Sequence, residues 1–319
     1  MAPSGPSLVT RVKAVLFAVL SVPAYPALVL LLVASAVIQP TALTLPFIYL
    51  VLRQAAPLGL LALGQRFPVV GRSLDLSVGG NIALINVVLA MGAVASAPGW
   101  VSVVLPLAIG IGTGLVNGII VARLRVSAVV VTLGTSMLLL GISLVASGGA
   151  PGGEVNSLVR WIGSGRINGF PVAAMVWFGA AAIMVVYLQR TTFFRTLEAT
   201  GTSYKAARLA GLSADASLIG SYVMSGMLAA LSGIVLTGYI GTGTVDLGAD
   251  LVLASVAAVI LGGSSFGLSR GGFFGCVAGV LVIIYLGNLL TILGFPEPVK
   301  QIVQGLVVVT AASLSVRRR

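Results

Sequence analysis

The sequence predicts an all-α integral membrane protein of about ten transmembrane helices, with the N-terminus and C-terminus cytoplasmic. Three observations predict it. The 319-residue chain is 58% hydrophobic and only 8% charged, with a mean hydropathy of +1.13. A soluble domain carries about 25% charged residues. Apolar runs of bilayer-spanning length, about 20 residues each, follow one another along the chain. The basic residues gather on alternate connections, the asymmetry that marks cytoplasmic loops.

The runs read as residues 14–38, 44–68, 75–96, 101–121, 126–147, 170–188, 215–238, 251–263, 272–293 and 298–314. The first follows Arg11 and Lys13 and continues past Pro23 and Pro26. It is too long for the apolar core of a signal peptide and lacks a small-x-small cleavage site. It reads as a retained span behind a cytoplasmic tail, residues 1–13. The second carries Arg53 and Gln54, which predicts a broken or partly re-entrant segment. The eighth is short, with glycines beyond its end. Two connections have real length: the Gly-, Ser- and Asn-rich residues 148–169, outside, and residues 189–214, inside. A basic cytoplasmic tail, residues 315–319, closes the chain. No composition shift divides it, so residues 1–319 read as a single transmembrane domain.

Alternation from a cytoplasmic N-terminus tests this order. The inner side collects Arg11, Lys13, Arg66, Arg72, Arg123, Arg125, Arg190, Arg195, Lys205, Arg208, Arg270 and Arg317 to Arg319, which is 14 of 18 basic residues. The outer side takes Arg160, Arg166, Lys300 and Arg53, with Glu154, Asp246, Asp250 and Glu297. The net charge of +11 therefore belongs to cytoplasmic loops beside membrane lipid and not to a nucleic-acid surface.

The chemistry that is missing narrows the function. There is no histidine, and the lone cysteine, Cys276, lies in an apolar run with no partner for a disulfide or a metal. The seven acids are scattered, so no nucleophile–base pair or carboxylate pair suggests an enzyme. Lys13, Lys205 and Lys300 do not follow glycine, so no phosphate-binding loop exists and no cofactor is expected on this chain. Only Asp75 could serve ion coupling at a span edge. An ATP-independent facilitator or secondary carrier of a small polar solute is the alternative; an active transporter would take its energy from another protein.

Candidate residues fall in three groups. Asp75 opens the third run, where a carboxylate complements the helix dipole. Arg72 is its expected ion-pair partner, Ser77 follows, and Gly79 and Gly80 let a neighbour approach the backbone. This is read as a capped, paired helix start beside the path of a solute. Gly110, Gly114 and Gly118, and then Gly267, Gly271, Gly275 and Gly279, recur every four residues, the spacing of close helix packing or of a subunit interface. In the inner loop, Ser203 is an N-cap before Tyr204 to Ala210, and Gly211 is a left-handed stop. Ala206, Ala207 and Ala210 are expected to form a small smooth face, with Lys205 and Arg208 beside it. Such a helix either lies on lipid or docks in a groove of a partner.

This last stretch resembles the cytoplasmic coupling helix of ribose-type permeases of bacterial ABC importers, whose pattern is G-N-x-x-A-A-R-x-S-G-I; Ala206, Ala207, Arg208 and Gly211 match. Asp75-Leu76-Ser77-Val78-Gly79 resembles the same family's G-G-I-D-L-S-V-G, as do Val131 to Thr135 and Gly262 to Ser265 followed by Arg270-Gly271. The resemblance covers roughly residues 55–312. It implies a permease subunit for a sugar or sugar-like solute in the bacterial inner membrane. It implies a second permease copy, identical or related, and a periplasmic solute-binding protein. It also implies a partner ATPase with two nucleotide-binding domains that holds ATP and Mg. Ser203, Lys205, Ala206, Ala207, Arg208 and Gly211 would then couple the permease to that ATPase.

Overall fold

The computed structural model describes residues 22–317 other than 187, 245, 246 and 270. The tail 1–13, residues 14–21 of the first run, Asp246, Arg270 and the last two arginines lie outside the described residues. The α-helices of six residues or more are α1 (Ala24–Ile38), α2 (Leu45–Val70), α3 (Val78–Ala90), α4 (Val101–Leu124), α5 (Ala128–Ala146), α6 (Ser157–Ser164) and α7 (Val172–Val186). They continue with α8 (Thr192–Thr202), α9 (Tyr204–Leu209), α10 (Ala214–Ile240), α11 (Ala249–Leu261), α12 (Gly272–Ile292) and α13 (Glu297–Arg317). Two antiparallel hairpins are the only sheet among the described residues: β1 (Arg166–Ile167) with β2 (Phe170–Pro171), and β3 (Ser264–Ser265) with β4 (Leu268–Ser269). Each of the apolar runs read from sequence contains a helix. Five of them, α2, α4, α5, α10 and α12, are long and apolar enough to cross a membrane. The protein is an all-α membrane protein, as its hydropathy predicts.

The second run is not broken. α2 is one helix of 26 residues, buried without interruption from Ala55 to Val70. Neighbours contact the groups expected to break it. The Arg53 guanidinium lies 4.8 Å over the Tyr239 ring, and Asn288 Nδ2 donates to Gln54 Oε1 at 2.8 Å. The helix also contains Pro57, whose carbonyl accepts from Ser232 Oγ on α10 at 2.8 Å. Polar groups served in this way let a helix continue through a low-dielectric core.

The third run is shorter than expected. α3 spans 13 residues, and the backbone leaves the helix at Met91, with ψ of 132°. Asn86 explains what covers its end: its amide donates to Thr237 Oγ1 and the Thr242 carbonyl, and its carbonyl accepts from Thr244 N. The chain after α10 is thereby tied over α3.

α10 is the central packing element, in contact with α2, α3, α4, α6 and α8. The α4–α10 seam is built by glycine. A β-carbon at Gly110 would overlap the Gly226 carbonyl, one at Gly114 the Tyr222 carbonyl, and one at Gly118 would sit 2.9 Å from Ile219 Cα. This row therefore packs inside the chain. The second row is not one helical face. Gly267 lies in the β3–β4 turn at φ of +78°, and Gly271 is the N-cap of α12. Only Gly275 and Gly279 lie on the helix, where they meet the Gly262 and Ala258 carbonyls of α11 and its C-cap. Positive φ at Gly267 ends the helical spacing that the sequence suggests. Gly275→Leu should force α11 and α12 apart at a cost of about 1–3 kcal/mol. A lowered midpoint in a thermal unfolding scan of the purified protein checks this; an unchanged midpoint would mean the seam can relax.

Candidate functional site

Asp75 sits in the turn between α2 and α3, and it is fully buried. Arg72 is exposed and in the left-handed region at φ of +60°. No ion pair joins the two among the described residues, so the expected partnership is replaced by neutral donors. Ser77 gives Asp75 Oδ1 its backbone N–H at 3.1 Å and its hydroxyl at 2.6 Å. Gln65 on α2 donates its amide to the Asp75 carbonyl. The helix begins at Val78, with Ser77 rather than Asp75 as N-cap, and no side chain caps it. The sequence placed the carboxylate at the helix dipole; the structure uses it two residues earlier, to fold the turn.

From Ser77 a polar chain crosses three helices. Asn117 Nδ2 on α4 donates to Ser77 Oγ at 2.9 Å, and Thr135 Oγ1 on α5 donates to Asn117 Oδ1 at 2.6 Å. Thr113 on α4 donates to Asn81 Oδ1 on α3 at 2.9 Å. On the other side, the Ser73 and Tyr222 hydroxyls share a hydrogen bond. Asp75 Oδ2 and the Ser225 hydroxyl of α10 lie close without meeting hydrogen-bond geometry among the described residues. Sequence reasoning missed Gln65, Asn81, Asn117 and Tyr222. Their signal was a polar residue within an apolar run, and the pair Thr113 and Asn117 stands one turn apart on one face.

The glycines after Asp75 serve close approach. A β-carbon at Gly79 would lie 2.7 Å from Val252 Cγ2 on α11, and one at Gly80 would lie 2.6 Å from the Ser136 carbonyl on α5. Beside this junction, α3, α5 and α11 bound a cleft of about 360 Å³, lined by Gly79, Gly80, Leu133, Ser136, Val252 and Leu253. The two short helices α3 and α11 both start at its wall. Short, glycine-flanked helices in a membrane bundle mark where a solute path can form.

Arg66 is the largest departure from the charge tally. It is not in a cytoplasmic loop but inside α2, 1% exposed. Its Nε donates to Ser264 Oγ of β3 at 3.1 Å. Its guanidinium lies 4.2 Å from the Phe273 centroid on α12 and 5.1 Å from that of Phe194 on α8. Glu198 of α8 adds an attractive charge. One side chain thus joins α2, α8, α12 and the hairpin. Backbones meet there too: a β-carbon at Gly201 on α8 would overlap the Val70 carbonyl, and one at Gly267 would lie 2.5 Å from the Gly201 carbonyl.

α8 and α9 form a helical pair outside the long helices. Ser203 caps α9 by accepting from Ala206 N at 3.3 Å. Gly211 stops it at φ of +77°, with Leu212 N donating back to the Ala207 carbonyl at 3.0 Å. Lys205, Ala206, Arg208 and Ala210 are exposed, and Leu209 is 82% exposed. Ala207 is not part of that free face; it is buried, where α9 packs against α8 and α10. The Tyr204 hydroxyl donates to Asp215 Oδ1 at the start of α10, and Arg125 at the end of α4 lies over the Tyr204 ring at 5.9 Å. The hydrogen bond to the Asp215 carboxylate raises the Tyr204 pKa above its ordinary value. The phenol keeps its proton through the neutral range, so this tether is present at neutral pH and is lost as the phenol ionises in strong alkali. Tyr204→Phe should release α9 from α10 at a cost of about 1 kcal/mol or less, given its exposure. Faster amide hydrogen exchange confined to residues 203–212 checks it; exchange at the wild-type rate would show that the tether carries no weight.

The profile of a family described as the permease component of branched-chain amino acid transport systems matches residues 47–312. The chain belongs to this permease family. It is 31% identical over 291 residues to the ribose import permease protein RbsC of Escherichia coli strain K12, covering 89% of this chain and 90% of that protein. It is 31% identical over 262 residues to the probable ABC transporter permease protein YphD of the same strain, covering 82% and 79%. It is 28% identical over 301 residues to the autoinducer 2 import system permease protein LsrD of Escherichia coli O9:H4, covering 92% and 91%. No solved structure matches. The chain is a transport component rather than an enzyme, a permease subunit of a solute importer. The matched segment of the permease takes in the Asp75 turn, Arg66, the α8–α9 pair and both glycine seams.

Proposed function

We propose that the chain is the membrane-spanning subunit of an ATP-driven importer of a sugar or sugar-like small polar solute in a bacterial inner membrane. The permeases it resembles in sequence, named for ribose and autoinducer 2 import, support the solute class. The observation that carries the energy source is α9. It is a capped and stopped helix on which Lys205, Ala206, Arg208, Leu209 and Ala210 are exposed among the described residues, while α8 behind it is locked to α2 and α12 through Arg66 and Gly201. A separate ATPase with two nucleotide-binding domains, holding ATP and Mg, docks on that face. A periplasmic binding protein delivers the solute, and a second permease copy, identical or related, closes the cleft between α3, α5 and α11 into a path. ATP binding moves α9, the α8–Arg66 junction carries the motion into α2, and the paired permeases open to the other side.

The experiment is uptake into proteoliposomes containing the permease, its ATPase and its binding protein. Uptake is expected only with all three and ATP. Uptake without ATP would mean a facilitator.

The proposed topology has ten spans and cytoplasmic termini. Asn156 caps α6 and is held to Ala95 and Ala97, so exposed neighbours serve as probes. In a Cys276→Ala background, Ser157→Cys should react with an impermeant thiol reagent from outside and Thr202→Cys should not. The reverse pattern would invert the assignment.

A further inference from the structure

The cytoplasmic ends of α4 and α10 enclose a groove of about 530 Å³ that shares only Arg208 with the coupling face of α9. Its walls carry Arg123 and Arg125 from the end of α4, Arg208 from α9, Asp215 and Ile219 from α10, and Leu212. Three arginines and one carboxylate line it, and that carboxylate already accepts from Tyr204. The groove therefore holds an excess of positive charge. Its surroundings are apolar. Leu115, Val116, Ile119 and Leu124 are exposed along α4, and Val126 follows the arginines. Ile219 and Leu212 continue that apolar surface into the groove.

We infer that this groove binds the phosphate headgroup of an anionic phospholipid from the cytoplasmic leaflet, with its acyl chains along the exposed apolar surface of α4. The placement of the groove on that leaflet rests on the topology proposed above. Basic pockets at the cytoplasmic ends of membrane helices have the chemistry to hold such headgroups, and each arginine near the surface adds to the attraction. Arginine offers paired donors that match phosphate oxygens. An acidic segment of the ATPase would also meet the charge. The apolar walls favour lipid, because a water-exposed acidic peptide gains nothing from Ile219, Leu212 and the α4 surface. The free face of α9, with Lys205 and Leu209, remains open for the ATPase while the groove is filled.

The test titrates the purified full chain in detergent with phosphatidylglycerol and with phosphatidylcholine, reading bound lipid by native mass spectrometry. Wild type is expected to prefer phosphatidylglycerol about tenfold or more, and millimolar inorganic phosphate should not displace it. The double variant Arg123→Gln/Arg125→Gln should lose about tenfold or more in phosphatidylglycerol binding. The control Arg190→Gln/Arg195→Gln, which removes the same charge from exposed positions just before and within α8, outside the groove, should keep wild-type binding. Equal affinity of wild type for the two lipids overturns the inference, as does equal loss in both double variants. Displacement by inorganic phosphate overturns the lipid assignment. So does a groove variant that keeps lipid binding but loses affinity for the ATPase, since that would assign the groove to the protein partner. The isolated chain suffices for the lipid measurements, so failure here is distinguishable from failure of the ATP-driven reading.

Discussion

Arg66→Ala is expected to destabilise the permease by about 3 kcal/mol or more. Three losses add. The Ser264 hydroxyl, 1% exposed, loses its donor. Two aromatic faces lose a cation held at 4.2 Å and 5.1 Å in a buried site. A cavity opens in the most buried stretch of α2. The opposing gain is relief of the desolvation of a buried charge, which can offset much of a buried pair when an apolar residue fills the space. Arg66→Met separates these effects, because it keeps most of the volume and removes the charge. Its stability should fall less than that of the alanine variant. If charge and hydrogen bonding hold α8 to the bundle, Arg66→Met should still uncouple transport from ATP hydrolysis at temperatures where it is folded. The midpoint of thermal unfolding in detergent gives the first quantity. A methionine variant with wild-type stability and coupling would show that Arg66 only fills space.

The second large effect lies on α9. Gly211→Val places a β-branched residue at φ of +77°, which costs roughly 1–2 kcal/mol locally. The stop would unwind, and with it the bond from Leu212 N to the Ala207 carbonyl. Arg208→Glu leaves the helix intact and reverses a charge on its exposed side. Neither residue lies in a long helix, so both variants should insert and fold. Transport should fall at least tenfold in each.

What the sequence made legible follows the range of the interaction. The Ser203 cap and the Gly211 stop depend on atoms within three or four residues, so their residue types announce them. Hydropathy locates the long helices because each run buries against lipid or a neighbour. The Asp75 turn was half legible. Its carboxylate and Ser77 are two residues apart in sequence, but Gln65, Asn117 and Ser225 reach the turn only through the packing of α2, α4 and α10. Arg66 was misplaced because counting charges assigns a cation to the nearest loop, and nothing local shows that Phe194 and Phe273 surround it. Ala207 was misread for a similar reason. A two-turn helix shows which residues are small, while its neighbours α8 and α10 decide which face is covered. The glycine spacing at 110, 114 and 118 was a true face. At 267 to 279 the same spacing ran across a hairpin, which four-residue periodicity does not register.

The central claim is that α9 receives the work of a separate ATPase. ATP hydrolysis by the reconstituted complex, measured with empty and with loaded binding protein, tests it most directly. Wild type should show hydrolysis stimulated by the loaded binding protein. Gly211→Val and Arg208→Glu should lose that stimulation, while solute binding to the isolated binding protein stays unchanged. Full stimulation in both variants would contradict the account and leave α9 as a helix that lies on the membrane surface.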